Sequence, residues 1–253
     1  MPPSRRYRYP SSSFMAYFPK GVRWLLFINT AVFLLCSLGG GTVQYYARGL
    51  IALSAEAAIR HLLIWQVFTY MFVHFALLHV LFNMLALWMF GMPIEQAWGM
   101  RRFLKFYFLC GLAAGVCVLI ANMLVGDWLT VTLGASGAVF GLMVAFAILF
   151  PDAIMLVFFL FPMKAKYAVM IYVAVEVWVT LAGSNTGVST MAHLAGAAFA
   201  YVYLKKGFYT KKGSLTLSMP DLRGSYRRWK LQRAKKKFQV YMRKHGGRDP
   251  WVN

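Results

Sequence analysis

Six long apolar stretches, separated by glycine, proline or charge, constrain this chain more than any other feature. They fall at about residues 24–38, 75–92, 103–125, 131–150, 167–182 and 188–204. A helix needs roughly 20 apolar residues to cross a hydrocarbon core of about 30 Å. Each stretch approaches that length, and the shorter ones must thin the bilayer locally or extend into the interface. Composition agrees: 60% of residues are hydrophobic and only 13% are charged, which leaves too little polar surface for a water-soluble domain. The same figures exclude a disordered chain. The expectation is therefore an all-α membrane protein, a bundle of six transmembrane helices.

The net charge of +20 is distributed by side. With an even number of spans, both termini lie on one face. All of the 27 Lys and Arg residues except Arg48 and Arg60 then fall on that face. The positive-inside rule makes it cytoplasmic. Three zones follow: a basic N-terminal tail (1–20), a six-span domain (21–207) and a basic cytoplasmic C-terminal tail (208–253). No cleavable signal peptide is evident, so the first span is expected to stay as an anchor. In the C-terminal tail Leu231, Ala234, Phe238 and Tyr241 share one helical face among Lys and Arg, a pattern suited to anionic lipid headgroups. Nucleic acid is not needed to explain inner positive charge, and none is expected as a partner. Residues 153–163 are apolar but too short to span and contain Pro162, so they are expected at the cytoplasmic interface. Residues 39–74 form a semi-apolar outer loop expected to carry short amphipathic helices. Cys36, Cys110 and Cys117 have no metal-ligand spacing and are read as small buried apolar residues.

Polar groups inside a bilayer are costly, and each calls for a reason. Spans two, four and six run from outside to inside. His79 and Asn83 stand near the start of the second, Ser136 about five residues into the fourth and His193 about five into the sixth. Five residues is roughly 8 Å of depth, so these groups share one layer. His79 and Asn83, spaced i, i+4, share one helical face. The set has the parts of acyl transfer. A serine hydroxyl needs a base, usually His, and the tetrahedral intermediate needs hydrogen-bond donors for its oxyanion. Gly134 precedes the serine by two residues. Gly137 and Gly141 form a G-x-x-x-G pair, and Gly196 with Ala200 repeats small-x-x-x-small on span six, which lets spans four and six pack closely. His74 is read as a structural hydrogen-bonding group. Glu176, mid-span, is read as a carboxyl kept neutral by burial or bonded to a neighbour.

These stretches resemble the rhomboid intramembrane serine proteases. The matching segments are His74-Phe-Ala-Leu-Leu-His79-Val-Leu-Phe-Asn83, Gly134-Ala-Ser136-Gly137 with Gly141, and Ala192-His193-Leu-Ala-Gly196, in order, in a core covering about residues 21–206. The resemblance implies a Ser–His dyad with Ser136 as nucleophile and His193 as general base. It implies His79 and Asn83 as oxyanion-hole side chains, and neither cofactor nor metal. It implies membrane-protein substrates, single-span or polytopic, entering sideways near spans two and five and cut near the outer face. Three positions depart from or approximate the family pattern. Trp65-Gln66 stands where many members carry Trp-Arg, Glu95 and Gly99 fit an E-x-x-x-G element, and Ala200 replaces a common Gly. The topology suits a bacterial inner membrane. The other readings weighed are a catalytically silent rhomboid-like binding or quality-control factor and a small transporter. Internal repeats would favour the transporter, and none is seen.

Overall fold

Apolar residues recur around whole helical surfaces rather than on one stripe, so most elements are helices with one side in the bundle and one side bare. The computed structural model describes residues 18–157, 161–182 and 190–206. In order these are α1 (Lys20–Leu38), α2 (Gly40–Leu50), α3 (Gln66–Thr69), α4 (Leu77–Trp98), α5 (Met100–Val125), α6 (Ser136–Leu149), strands β1 (Ile154–Val157) and β2 (Phe161–Lys164), α7 (Ala165–Leu181) and α8 (Thr190–Lys205). Among the described residues, α1, α4 and α5 are long and apolar enough to cross a membrane, and α6 is a shorter apolar helix. The C-terminal tail expected at 208–253 and most of the N-terminal tail lie outside the described residues, as does the segment 183–189.

The core runs between α4, α5, α6 and α8, around Tyr70, Leu87, Phe90, Phe106, Tyr107 and Leu142. α8 packs most extensively on α6 and then on α5. Long aliphatic and aromatic side chains such as Trp24, Phe27, Leu35, Leu124 and Trp178 point outward and stay exposed. That is the inverse of a water-soluble surface, and it is what lipid-facing helices require. Cys36 and Cys110 are buried as expected, but Cys117 is exposed. It lies on the outward flank of α5, flanked by the exposed Val116 and Ile120, because successive residues of a helix turn away from the bundle in steps of about 100°.

The head of α1 is fastened by α4. No side chain of its own caps it; instead Gly21 N–H donates to Glu95 Oε1 at 2.8 Å and Val22 N–H to Oε2 at 2.7 Å. Two of the unpaired amides of a helix start are thereby satisfied by one buried carboxyl. Glu95, noted in the sequence only as part of an E-x-x-x-G element, is a long-range helix cap.

A further expectation needs correction. The fourth apolar run does not begin as helix at residue 131. Residues 131–135 are non-helical, and Thr132 forms a β-bridge with Leu53, exchanging N–H···O bonds of 2.9 and 2.8 Å. Gly134, at φ +106°, then turns the chain before α6 starts at Ser136. The apolar run alone cannot reveal this, because the extended backbone finds its partners 79 residues away in sequence (Leu53 to Thr132). The depth of Ser136 therefore comes from a late helix start rather than from five residues of helix. In the segment expected at the interface, strands β1 and β2 pair antiparallel, Ile154 with Lys164 and Val157 with Phe161.

The 39–74 segment does carry short helices, α2 and α3, with a π turn at Glu56–Arg60 and a 3-10 turn at Tyr70–Phe72. Side chains fasten it to backbone. Trp65 Nε1 donates to the Leu50 carbonyl at 2.8 Å, and Thr69 Oγ1 to the Ile51 carbonyl at 2.7 Å. Gln66 is fully buried; its Nε2 donates to the Gly49 carbonyl at 2.8 Å and its Oε1 accepts from Ser54 N–H at 3.3 Å. The carboxamide thus supplies both a donor and an acceptor where an Arg could only donate.

Candidate functional site

Ser136 is the first residue of α6, so its hydroxyl stands among the free amides of a helix start and at the positive end of the helix dipole. It lines a cavity of about 170 Å³ with His79, Gly134, Tyr70, Phe75 and Ala192, among others. His79 enters from the first turn of α4 and Ala192 from the first turn of α8.

Gly134 makes this arrangement possible in two ways. Its positive φ is a conformation that side chains disfavour. A Cβ at this position would also stand 2.8 Å from the His79 imidazole. Its N–H donates to the Tyr70 carbonyl at 2.9 Å, and the next amide, Ala135 N–H, donates to His74 Nε2 at 3.3 Å. The segment that delivers Ser136 is thus tied at both preceding residues. His74 is fully buried, and burial first, then the neighbouring His79, pushes its pKa down to about 4. A neutral ring that accepts at Nε2 carries its proton on Nδ1, so the tautomer follows from the Ala135 bond. The two rings meet edge to face at 5.0 Å.

His193 reaches the same neighbourhood because α6 and α8 touch backbone to backbone. A Cβ on Gly196 would overlap the Gly137 carbonyl, and one on Gly137 would lie 2.6 Å from the Ala114 Cβ. At Gly141 the added atom would meet Cys110 Sγ at 2.6 Å, so this second glycine admits α5 as closely as Gly137 does. Such approach is the known use of small residues in membrane helices. The His193 ring stacks on Phe140, with centroids 4.3 Å apart and planes within 7°. Phe140 follows Ser136 by one helical turn, so both face α8. His193 Nδ1 lies 3.2 Å from Glu176 Oε1 on α7. That is ion-pair distance, but the ring is turned so that the contact falls short of hydrogen-bond alignment, and Nε2 has no hydrogen-bond partner.

The structure therefore gathers Ser136, His79 and Gly134 on one cavity wall, with His193 beside it next to Ala192. Asn83 is held one turn deeper, where its Nδ2 donates to the His79 carbonyl at 2.9 Å. One of its two amide hydrogens remains for another acceptor. Phe140 and the tether from His74 to Ala135 were not singled out in the sequence. The i, i+4 spacing from Ser136 could have found Phe140; nothing local could have found the tether, which spans 61 residues.

Long apolar helices packed through small residues, with polar side chains gathered around one cavity, define an integral membrane protein with an internal polar site. The Rhomboid domain profile matches residues 62–209, more than half of the chain, and the protein belongs to the rhomboid family. Among relatives, the rhomboid protease GluP of Bacillus subtilis (strain 168) is 34% identical over 116 residues, 45% of this chain and 21% of that protein. The putative rhomboid protease YdcA of the same strain is 28% identical over 134 residues, 52% of this chain and 61% of its own. The rhomboid protease GlpG of Pectobacterium atrosepticum is 30% identical over 91 residues, 36% and 31% respectively. The chain covers less than two thirds of the length of each of these relatives.

Proposed function

We propose that this protein is an intramembrane serine endopeptidase that cuts the transmembrane helices of membrane-protein substrates near the outer face. The observation that carries the reading is the position of Ser136: first residue of a helix, on the wall of a cavity shared with His79, beside a helix that brings His193 alongside. Family membership and relatives named rhomboid proteases support it.

In this reading six helices span the bilayer (α1, α4, α5, α6, α7 and α8), with both termini cytoplasmic. The charge asymmetry of the sequence supports that orientation. The bacterial relatives fit a bacterial inner membrane. The 208–253 tail contacts anionic lipid.

Ser136 Oγ attacks the scissile carbonyl while its proton passes to Nε2 of neutral His193. The new C–O bond turns the carbonyl oxygen into an oxyanion, held by His79, by the free amide hydrogen of Asn83 and by backbone N–H groups at the start of α6. His193 then returns the proton to the amine as the C–N bond breaks, leaving an acyl-enzyme. Water, admitted through the cavity, gives its proton to His193 and adds to the ester carbon; collapse regenerates Ser136 and releases the acid. The chemistry needs no cofactor. Nε2 has no competing hydrogen-bond partner in the structure, which leaves it free to take the Ser136 proton in this scheme.

Purified protein is expected to react with a fluorophosphonate and to cleave a single-span substrate in liposomes. Ser136→Ala abolishes both, and His193→Ala nearly so. Cleavage that survives Ser136→Ala unchanged would discard the mechanism. A native protein that binds substrate without cutting it would point to a silent binding factor instead.

A further inference from the structure

We infer that Glu176 is a positioning residue for the His193 imidazole, so that the site works as Ser–His–Glu rather than as Ser–His alone. The inference rests on the serine-protease reading above.

Three observations converge on it. First, Glu176 Oε1 lies 3.2 Å from His193 Nδ1, the ring nitrogen on the far side from the one that must receive the Ser136 proton. Second, the carboxyl stands within an otherwise apolar helix with its side chain 20% exposed, and Oε2 is buried without a hydrogen-bond partner. A carboxyl kept at such cost inside a membrane helix calls for a role. Third, the ring is already clamped on its face by Phe140. Stacking fixes the plane of an imidazole but not which edge faces which way, because a half-turn about Cβ–Cγ keeps the plane and exchanges Nδ1 with Cδ2. An acceptor at Nδ1 selects one of the two, and with it the direction of Nε2.

The chemistry asks for nothing more. Nδ1–H donates to Oε1, which holds the proton on Nδ1 and leaves Nε2 as the basic nitrogen. When Nε2 takes the Ser136 proton, the carboxylate faces the imidazolium and steadies its charge. No proton passes to Glu176 at any stage. The contact tightens into hydrogen-bond alignment by a turn of the ring on the Phe140 surface. Orienting a metal-free imidazole through its second nitrogen is a general device of His-based catalysis, and it does not depend on fold.

Glu176→Gln preserves shape but can present an N–H to Nδ1, which favours the wrong tautomer. In liposomes with a single-span substrate it is expected to lower kcat about tenfold to a hundredfold, with KM changed less than about threefold, and to slow fluorophosphonate labelling of Ser136 in parallel. A fall in kcat of less than about threefold, or one matched by KM, overturns the inference. Nitrogen-15 and proton NMR of imidazole-labelled native protein gives a second reading, independent of any variant's folding. A downfield Nδ1 proton that disappears in His193→Ala supports the pair; an Nδ1 at His193 that carries no proton overturns it. Ser136→Ala in the same assay separates the two levels. If Ser136→Ala is dead while Glu176→Gln is fully active, only the positioning role fails. If Ser136→Ala cleaves normally, the serine-protease reading fails with it.

Discussion

Residues 49–69 hang on side chains that reach for backbone, whereas α6 and α8 meet almost without side chains. In this loop Trp65, Gln66 and Thr69 each bond a carbonyl of the 49–51 segment, and Gln66 also takes the Ser54 amide. At the helix seam Gly137 and Gly196 stand backbone to backbone, with Ala192 and Ala114 around them. The first device is directional and local, and losing one bond leaves the others. The second is steric and collective, and one extra carbon displaces a whole helix. If the serine-protease reading holds, the seam sets the distance between nucleophile and base, and the loop only keeps the approach in order.

Four variants test that contrast, beginning with the most severe. Gly196→Leu drives a side chain into the Gly137 carbonyl and is expected to cost at least about 4 kcal/mol, enough to lose folded protein in detergent thermal unfolding. A variant that melts like the native chain would show that the seam is soft. Gly134→Ala strains a positive φ and presses on His79; about 1–3 kcal/mol of stability and most of the activity should go together. Retained cleavage in that variant would mean that the turn before Ser136 can relax.

Gln66→Ala removes a buried donor and acceptor and leaves the Gly49 carbonyl and Ser54 amide unpaired, for about 1–3 kcal/mol. Hydrogen exchange should rise in residues 49–54 and stay unchanged in α6. Spread of the effect into α6 would break the distinction between loop and seam. Asp152→Asn is the mildest. Asp152 is exposed, and hydrogen bonds from Lys164 and then Lys166 hold its carboxyl below the usual carboxylate range. Its contribution is therefore present above that range and lost as pH falls through the lowered value. Exchange in the β1–β2 hairpin is expected to rise slightly in the variant, and in the native chain at acid pH. High salt should erase the difference, because solvent screens such pairs.

The sequence made some of these features readable and hid others for physical reasons. Gly137, Gly141 and Gly196 could be read because small residues at helical spacing have few other uses in an apolar run. His79, Ser136 and His193 stood out because polar atoms are rare there. The true start of α6 did not, since Val131, Thr132 and Leu133 continue the apolar run, while the bridge to Leu53 and the bond from Gly134 N–H to the Tyr70 carbonyl hold this segment out of helix. Gln66 looked like a lost Arg until the loop carbonyl and amide it serves were seen. The Glu176 carboxyl was visible as an oddity, but its neighbour on another helix was not. The apolar runs were legible as helices, and among the described residues three of them, α1, α4 and α5, are long and apolar enough to cross a membrane.

The bond between α1 and Glu95 has a bearing on how the chain is made. The amides of Gly21 and Val22 emerge from the ribosome 74 and 73 residues ahead of the carboxyl that will receive them. Until then these two amides at the head of α1 lack their partner. The carboxyl that receives them also reports that α4 has arrived. Assembly of this bundle is thus punctuated: the first turn of α1 is finished only when α4 has been synthesised.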